Sequence, residues 1–363
     1  MSPTRPDAVS RALRDPRALA AWSLAQWDHL VRQARSANLL SRLGVLLEDE
    51  ELLDRVPEAP RAHLAAARVV AHAQSEAVRR EVAYVCKALA HTGVNVVLLK
   101  GTAYLLAGLP AARGRVFSDV DILVPQAALP EVEAALMLHG WATTHHDPYD
   151  QRYYREWMHE LPPMMHVTRQ TVLDVHHAIV PTTARLKPDS AKLLAASRPV
   201  AEGSHLRVLA PTDMVLHSAA HLFLNEDLSS GLRDLADLDS LLRQFGETAG
   251  FWEELATRAS ELDLARPYYY ALRYADSILG TPVPQPVLRA SEAGRPAAWL
   301  RALSDGLFLR ALRPAHASAS DRLTGVARSA LYVRAHWLRM PPLLLARHLT
   351  VKALRGQEDD QGT

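Results

Sequence analysis

Apolar residues recur at helical spacing through the first quarter of the chain. Trp22, Ala25, Leu30 and Val31 outline a ragged apolar face. Over residues 60–91, Leu64, Val69, Val70, Val78, Val82, Val85 and Leu89 form the stripe of a long amphipathic helix, which Thr92-Gly93 stops. At Val94 the period changes. The compact β-branched run Val94-Asn95-Val96-Val97-Leu98-Leu99 reads as a buried strand. Lys100-Gly101-Thr102 then turns into a short apolar helix over 103–107. A second strand, Ser118-Asp119-Val120-Asp121-Ile122-Leu123-Val124, ends at Pro125, and a helix over 129–139 follows, with Pro130 near its start. Gly140-Trp141 opens another extended piece. Residues 145–165 are irregular and aromatic, with Tyr149, Tyr153, Tyr154 and Trp157, and read as a loop or short helix over a site.

A hairpin-like pair comes next: 164–167, a turn at 168–170, and a strand over 171–179. Pro211-Thr212-Asp213 reads as the N-terminal cap of a helix carrying Met214, Leu216, His217, His221 and Leu222. Further helices are expected at Gly231-Leu232-Arg233-Asp234-Leu235-Ala236-Asp237-Leu238, at 251–262 and at 267–278. The pattern predicts an α+β chain. A small mixed β-sheet core over 93–210 lies between an N-terminal helical region, 1–92, and a C-terminal one, 211–355, with a disordered acidic tail at 356–363.

Two acids sit two residues apart on the second strand. Successive strand side chains alternate faces, so Asp119 and Asp121 point the same way while Val120 and Ile122 face the other. Two like charges side by side on a half-buried strand repel, and burial adds a desolvation cost. A divalent cation such as Mg²⁺ or Mn²⁺ relieves both. On the later strand, Asp174 and His176 share a face. Glycine at position 101, between a strand and a helix, lets backbone N–H groups approach a phosphate, with Thr102 adding a hydroxyl and Lys100 a charge. His217 and His221 stand one helical turn apart, a zinc-capable spacing, but no Cys or His-Glu-x-x-His pattern accompanies them, and packing is the favoured role. The adjacent pairs His145-His146 and His176-His177 diverge on a strand and make poor chelates.

Composition narrows the class without choosing a chemistry. The chain has 363 residues, 48% hydrophobic and 22% charged, enough for two or three sizeable cores. A net charge of +1 gives no overall field toward nucleic acid or membrane. Cys86 is the single cysteine, so the chain has no internal disulfide partner. No apolar signal core opens the sequence and no segment approaches the ~20 apolar residues of a bilayer span, which points to the cytoplasm. The segment 322–355 holds seven Lys/Arg and no Asp/Glu, with Trp337 and Leu338 interspersed. A solvated helix face packed on the protein is the favoured reading; membrane or nucleic-acid contact is the rival.

Taken together, Leu99-Lys100-Gly101, Arg115, the Ser118 to Val124 run and Leu173-Asp174-Val175-His176 resemble the uncharacterised nucleotidyltransferase family of the DNA polymerase beta-like nucleotidyltransferase superfamily. The likeness covers roughly residues 90–245, including the Gly231 to Leu238 helix. Thr102 stands where the superfamily usually has serine, and Asp174 where glutamate is frequent. The resemblance implies an enzyme that moves a nucleoside monophosphate from an NTP such as ATP to a hydroxyl-bearing acceptor, a small molecule, peptide or protein. In that scheme Asp119 and Asp121 hold the metal ions, and Asp174 binds one of them or takes the acceptor's proton. Lys100, Gly101, Thr102, Arg115 and Ser118 contact the nucleotide. His176, His217 and Asp234 lie at the acceptor or behind the ligands. The alternative from another class is a non-catalytic nucleotide- or partner-binding module of antitoxin type.

Overall fold

The computed structural model describes residues 7–144 and 147–341. Four helices open it: α1 (Ala8–Arg14), α2 (Leu24–Ser36), α3 (Leu40–Asp49) and α4 (Glu58–Leu89). Asp7 caps α1, and Ser23 with Gln26 forms a capping box on α2. The long helix α4 lies where the periodicity put it and buries Leu64, Val82, Val85 and Leu89. Val69 and Val70 depart from the expected stripe: they are 70% and 54% exposed, on the outer side of the helix.

The sheet then assembles from β1 (Val96–Leu98), β2 (Asp119–Leu123), β3 (Trp141–Thr143), β4 (Met164–His166), β5 (Val172–His176), β6 (Arg198–Pro199) and β7 (Leu206–Val208), in the order β3-β4-β5-β2-β1-β7-β6. β2 runs parallel to β5 and antiparallel to β1, so the sheet is mixed. Between the strands lie α5 (Lys100–Leu106), α6 (Leu129–Leu138), α7 (Pro148–Arg152) and α8 (Ser190–Ala196), and helices cover both faces. The predicted hairpin is present as β4 and β5, antiparallel across the 168–170 turn. His145 and His146 lie outside the described residues.

The C-terminal part is helical: α9 (Pro211–Leu224), α10 (Gly231–Gly246), α11 (Phe251–Glu261), α12 (Ala265–Tyr274), α13 (Gln285–Ala290), α14 (Ala298–Ala311) and α15 (Thr324–Arg339). Helix α9 starts at Pro211, with proline in its first turn as expected, but no side chain caps it. The Asp213 carboxylate instead accepts from Arg258 Nε at 2.6 Å and Nη2 at 2.9 Å. A bidentate arginine is the stronger partner for a fully buried carboxylate. One apolar core, from Val9 to Leu331, runs through the sheet and both helical regions. Within the basic segment, Arg334 donates to the Phe223 carbonyl, Arg339 pairs with Glu226 and Arg328 reaches the Arg313 carbonyl. Residues 342–355 and the 356–363 tail lie outside the described residues. Among the described residues no helix is long and apolar enough to cross a membrane.

Candidate active site

Strand register brings the acids together. In the parallel β2–β5 pair, Asp121 sits directly opposite Asp174. Adjacent strands lie about 4.8 Å apart, and paired residues face the same side. Asp119 is two residues earlier on β2, so all three carboxylates share one face, with an oxygen from each within 4.8 Å of the others. Asp121 is buried, and Asp119 and Asp174 are partly so. Ser118 Oγ donates to Asp119 Oδ1 at 2.7 Å. Asp174 Oδ1 is buried with no hydrogen-bond partner.

Asp121 is the anchored member. Lys100 Nζ lies 2.7 Å from its Oδ1, and His176 Nε2 lies 3.1 Å from the same oxygen. His176, expected at the acceptor or behind the ligands, turns its ring to Asp121 and, from the other side, to Glu160. Burial alone would raise the Asp121 pKa, but Lys100 and His176 hold it well below the usual carboxylate range. Asp174 moves the opposite way. Burial, with the negative charges of Asp121 and Glu160, pushes it up to about 7. The carboxylate cluster is therefore short of positive charge at neutral pH.

This asymmetry has a signed consequence. The folded chain keeps the Asp174 proton up to about pH 7, whereas an unfolded chain releases it near pH 4. Across that window the native state binds more protons, so this group's contribution to stability falls as pH rises and is flat above it. Asp174→Asn, which mimics the protonated acid, is expected to raise the stability of the metal-free protein at pH 8 by on the order of 1–3 kcal/mol, with about a third of that gain at pH 5. Cation affinity should fall about tenfold per pH unit below 7 as the proton competes, and level off above. Denaturant melts and Mn²⁺ calorimetry at pH 5, 7 and 8 check both. A less stable Asp174→Asn protein at pH 8 would contradict the electrostatics.

The Gly corner differs from expectation in an instructive way. Helix α5 begins at Lys100 rather than at residue 103, and it is Lys100, not Gly101, that takes a left-handed φ of +48°. Such a conformation costs on the order of 1–3 kcal/mol in a non-glycine residue and persists where surroundings impose it; here it accompanies the Lys100–Asp121 bond. Glycine at 101 is required by close approach: a Cβ there would lie 2.1 Å from Arg115 Nη1 and 2.5 Å from its Cζ. Arg115 is itself buried, with Nε donating to Asp237 Oδ2 at 2.9 Å. That carboxylate, shared with Arg42, holds Arg115 in the wall of the site.

A small cavity joins these groups. Lys100, Gly101, Thr102, Arg115, Ser118, Asp119 and Asp121 line it together with Tyr104, Ser218, His221, Arg233, Asp234 and Asp237. A larger, open groove lined by Glu48, Arg68, His72 and Arg113 lies elsewhere; among the described residues, no group of metal-ligating side chains falls in it. Asp234 pairs with Arg233 at 2.8 Å. His217 is buried, and burial with the nearby Lys100 charge drives its pKa down to about 3; His221 is lowered for the same reasons. Both are neutral at pH 7, and neither joins a metal-ligating group among the described residues.

Sequence reading passed over His159 and Glu160, which meet His176 in a second cluster. Their irregular surroundings carry no period, so the adjacent His-Glu pair was the only available signal. Arg233 and Asp237 stood inside a helix noted for its leucines, with nothing to mark which polar side turns inward.

The site is thus an open mixed sheet on which three acids converge from neighbouring strands. The chain belongs to the family described as uncharacterised nucleotidyltransferases, whose model matches residues 23–280, well over half its length. The match extends beyond the 90–245 likeness into the N-terminal helices. Membership makes the protein a nucleotidyltransferase. No curated protein matches the sequence.

Proposed function

We propose that this nucleotidyltransferase is metal-dependent and moves a nucleoside monophosphate from an NTP to a hydroxyl-bearing acceptor, releasing pyrophosphate. The observation that carries the reading is the convergence of Asp119, Asp121 and Asp174 on one spot beside the Lys100 corner. The donor set fits a hard divalent cation: three carboxylates, one with a buried oxygen lacking a partner, in a cluster short of positive charge. Asp119, Asp121 and Asp174 would hold Mg²⁺ or Mn²⁺, which when bound offsets charge on the triphosphate oxygens.

The chain's own groups supply positioning. Lys100 and His176 both bind Asp121 Oδ1, which fixes the carboxylate and leaves Oδ2 for a ligand. Ser118 orients Asp119 in the same manner. Gly101 and Thr102 line the cavity next to these acids and present backbone and a hydroxyl to the β- and γ-phosphates. Arg115 and Arg233 both line this cavity, each paired with a carboxylate of α10, and bring positive charge to the phosphates. Holding the α-phosphorus and the acceptor oxygen in line accounts for most of the acceleration asked of such a site.

The test is incubation of the full chain with each of the four NTPs, Mg²⁺ or Mn²⁺, and pools of small-molecule, peptide and protein acceptors. Pyrophosphate release that depends on both metal and acceptor is the expected result. Tight NTP binding with no turnover under any of these conditions would favour a binding module.

A further inference from the structure

We infer that His159, Glu160 and His176 form a second cation site, suited to a borderline-soft metal of the Zn²⁺ class, adjoining the carboxylate cluster. The inference does not rest on the nucleotidyl-transfer reading, since none of its ligands belongs to the acid trio. One donor atom from each of the three residues lies within 4.8 Å of the other two. Both imidazoles present a buried Nδ1 with no hydrogen-bond partner among the described residues. The His176 side chain is only 4% exposed, so water does not readily satisfy that nitrogen.

The arrangement around His176 is the stronger clue. Its Nε2 faces Asp121 Oδ1 at 3.1 Å, and its Nδ1 faces Glu160 Oε2 at 3.2 Å without the alignment of a hydrogen bond. A metal-bound histidine typically donates its second ring N–H to a carboxylate, which fixes the tautomer and turns the other lone pair on the metal. Asp121 is that carboxylate here. The lone pair left on Nδ1 would then confront a carboxylate oxygen, a repulsive contact unless a cation lies between them. With metal–ligand bonds of 2.0–2.1 Å, two ligand atoms of a tetrahedral ion are about 3.3 Å apart, which matches the Nδ1 to Oε2 separation.

The backbone holds the three ligands in place. The His159 carbonyl accepts from His177 N at 2.8 Å, Glu160 forms a β-bridge with His176, and Leu161 N donates to Val175 O. The 159–161 segment is thereby stitched to the end of β5. Two imidazoles and one carboxylate favour zinc-like ions over Mg²⁺, and three protein ligands leave a fourth position open to water or substrate. The competing account is an imidazolium at His176 clasped between Asp121 and Glu160, needing no metal.

The experiment uses chelator-stripped full-length protein titrated with Co²⁺, read by the visible absorption of four-coordinate cobalt. One equivalent should bind with a Kd at or below ~1 μM, be displaced by Zn²⁺ and resist excess Mg²⁺. The Asp119→Asn/Asp174→Asn double variant should keep that signal. His159→Ala and Glu160→Gln should each weaken it at least ~10-fold. Glu160→Gln keeps the size and shape of the side chain, so if His159→Ala fails to fold, Glu160→Gln decides. The inference is overturned if no tight equivalent binds, if Glu160→Gln binds as the parent does, or if the signal is lost in the acid double variant instead.

Discussion

Asp119→Asn is expected to cut nucleotidyl transfer at least ~10³-fold, about 4 kcal/mol of transition-state stabilisation, while moving the unfolding free energy by less than about 1 kcal/mol. Asp119 is the cleanest of the three acids to test. It lies at the start of β2, is only partly buried, and accepts a hydrogen bond from the adjacent Ser118. Asp121 is a poorer probe. Its removal would strand the ammonium of Lys100 and disturb His176, so loss of activity there could not be separated from loss of structure. Asp174→Asn is confounded in the other direction, because relief of like-charge repulsion stabilises the metal-free fold. Pyrophosphate release at saturating NTP and metal, beside a denaturant melt of the same sample, gives both numbers. Full activity in a folded Asp119→Asn protein would remove the acid cluster from the reaction.

How far the sequence disclosed this site depended on the range of the interaction. Local alternation alone placed Asp119 and Asp121 on one face, because a strand's period of two leaves no other arrangement. Alternation could not join Asp174 to them: the family resemblance did, and the β2–β5 register, set across more than fifty residues with Val120, Ile122, Leu173 and Val175 buried, puts it opposite Asp121. Gly101 stands out in the sequence as a place where backbone can approach a phosphate, and only coordinates show that the guanidinium of Arg115 also fills the space of its missing Cβ. Arg115 stood four residues from Asp119 and so suggested phosphate, yet its partner lies 122 residues downstream on α10. Val69 and Val70 fit a helical stripe but face outward, since periodicity gives a face and not what covers it.

Asp237→Ala carries the largest expected effect on stability, a loss of about 3–5 kcal/mol. The carboxylate is 2% exposed and binds two guanidinium groups: Arg115 at Oδ2, 2.9 Å, and Arg42 at Oδ1, 2.6 Å. Arg42 belongs to α3 and also donates to the Ala111 carbonyl, so one acid ties α10 to the N-terminal helices and to the wall of the cavity. Burial would raise the Asp237 pKa, but the two arginines keep it below the ordinary range, so both pairs stay charged at neutral pH. Alanine would leave a buried and a half-buried cation facing each other with nothing between them. Asn keeps a hydrogen-bond acceptor without the charge, and should fall between parent and Ala. The Asp237→Ala/Arg115→Met double variant should lose less than the sum of the single losses, because the second change removes a charge stranded by the first. Kinetics sharpen the assignment of Arg115. If it braces the wall, Arg115→Met should lower stability and reduce turnover together; a selective rise in the NTP KM with unchanged stability would instead make it a phosphate ligand. Equilibrium denaturation of the four proteins decides the structural half, and a cost below about 1 kcal/mol for Asp237→Ala would mean that water or a rearranged partner already compensates both arginines.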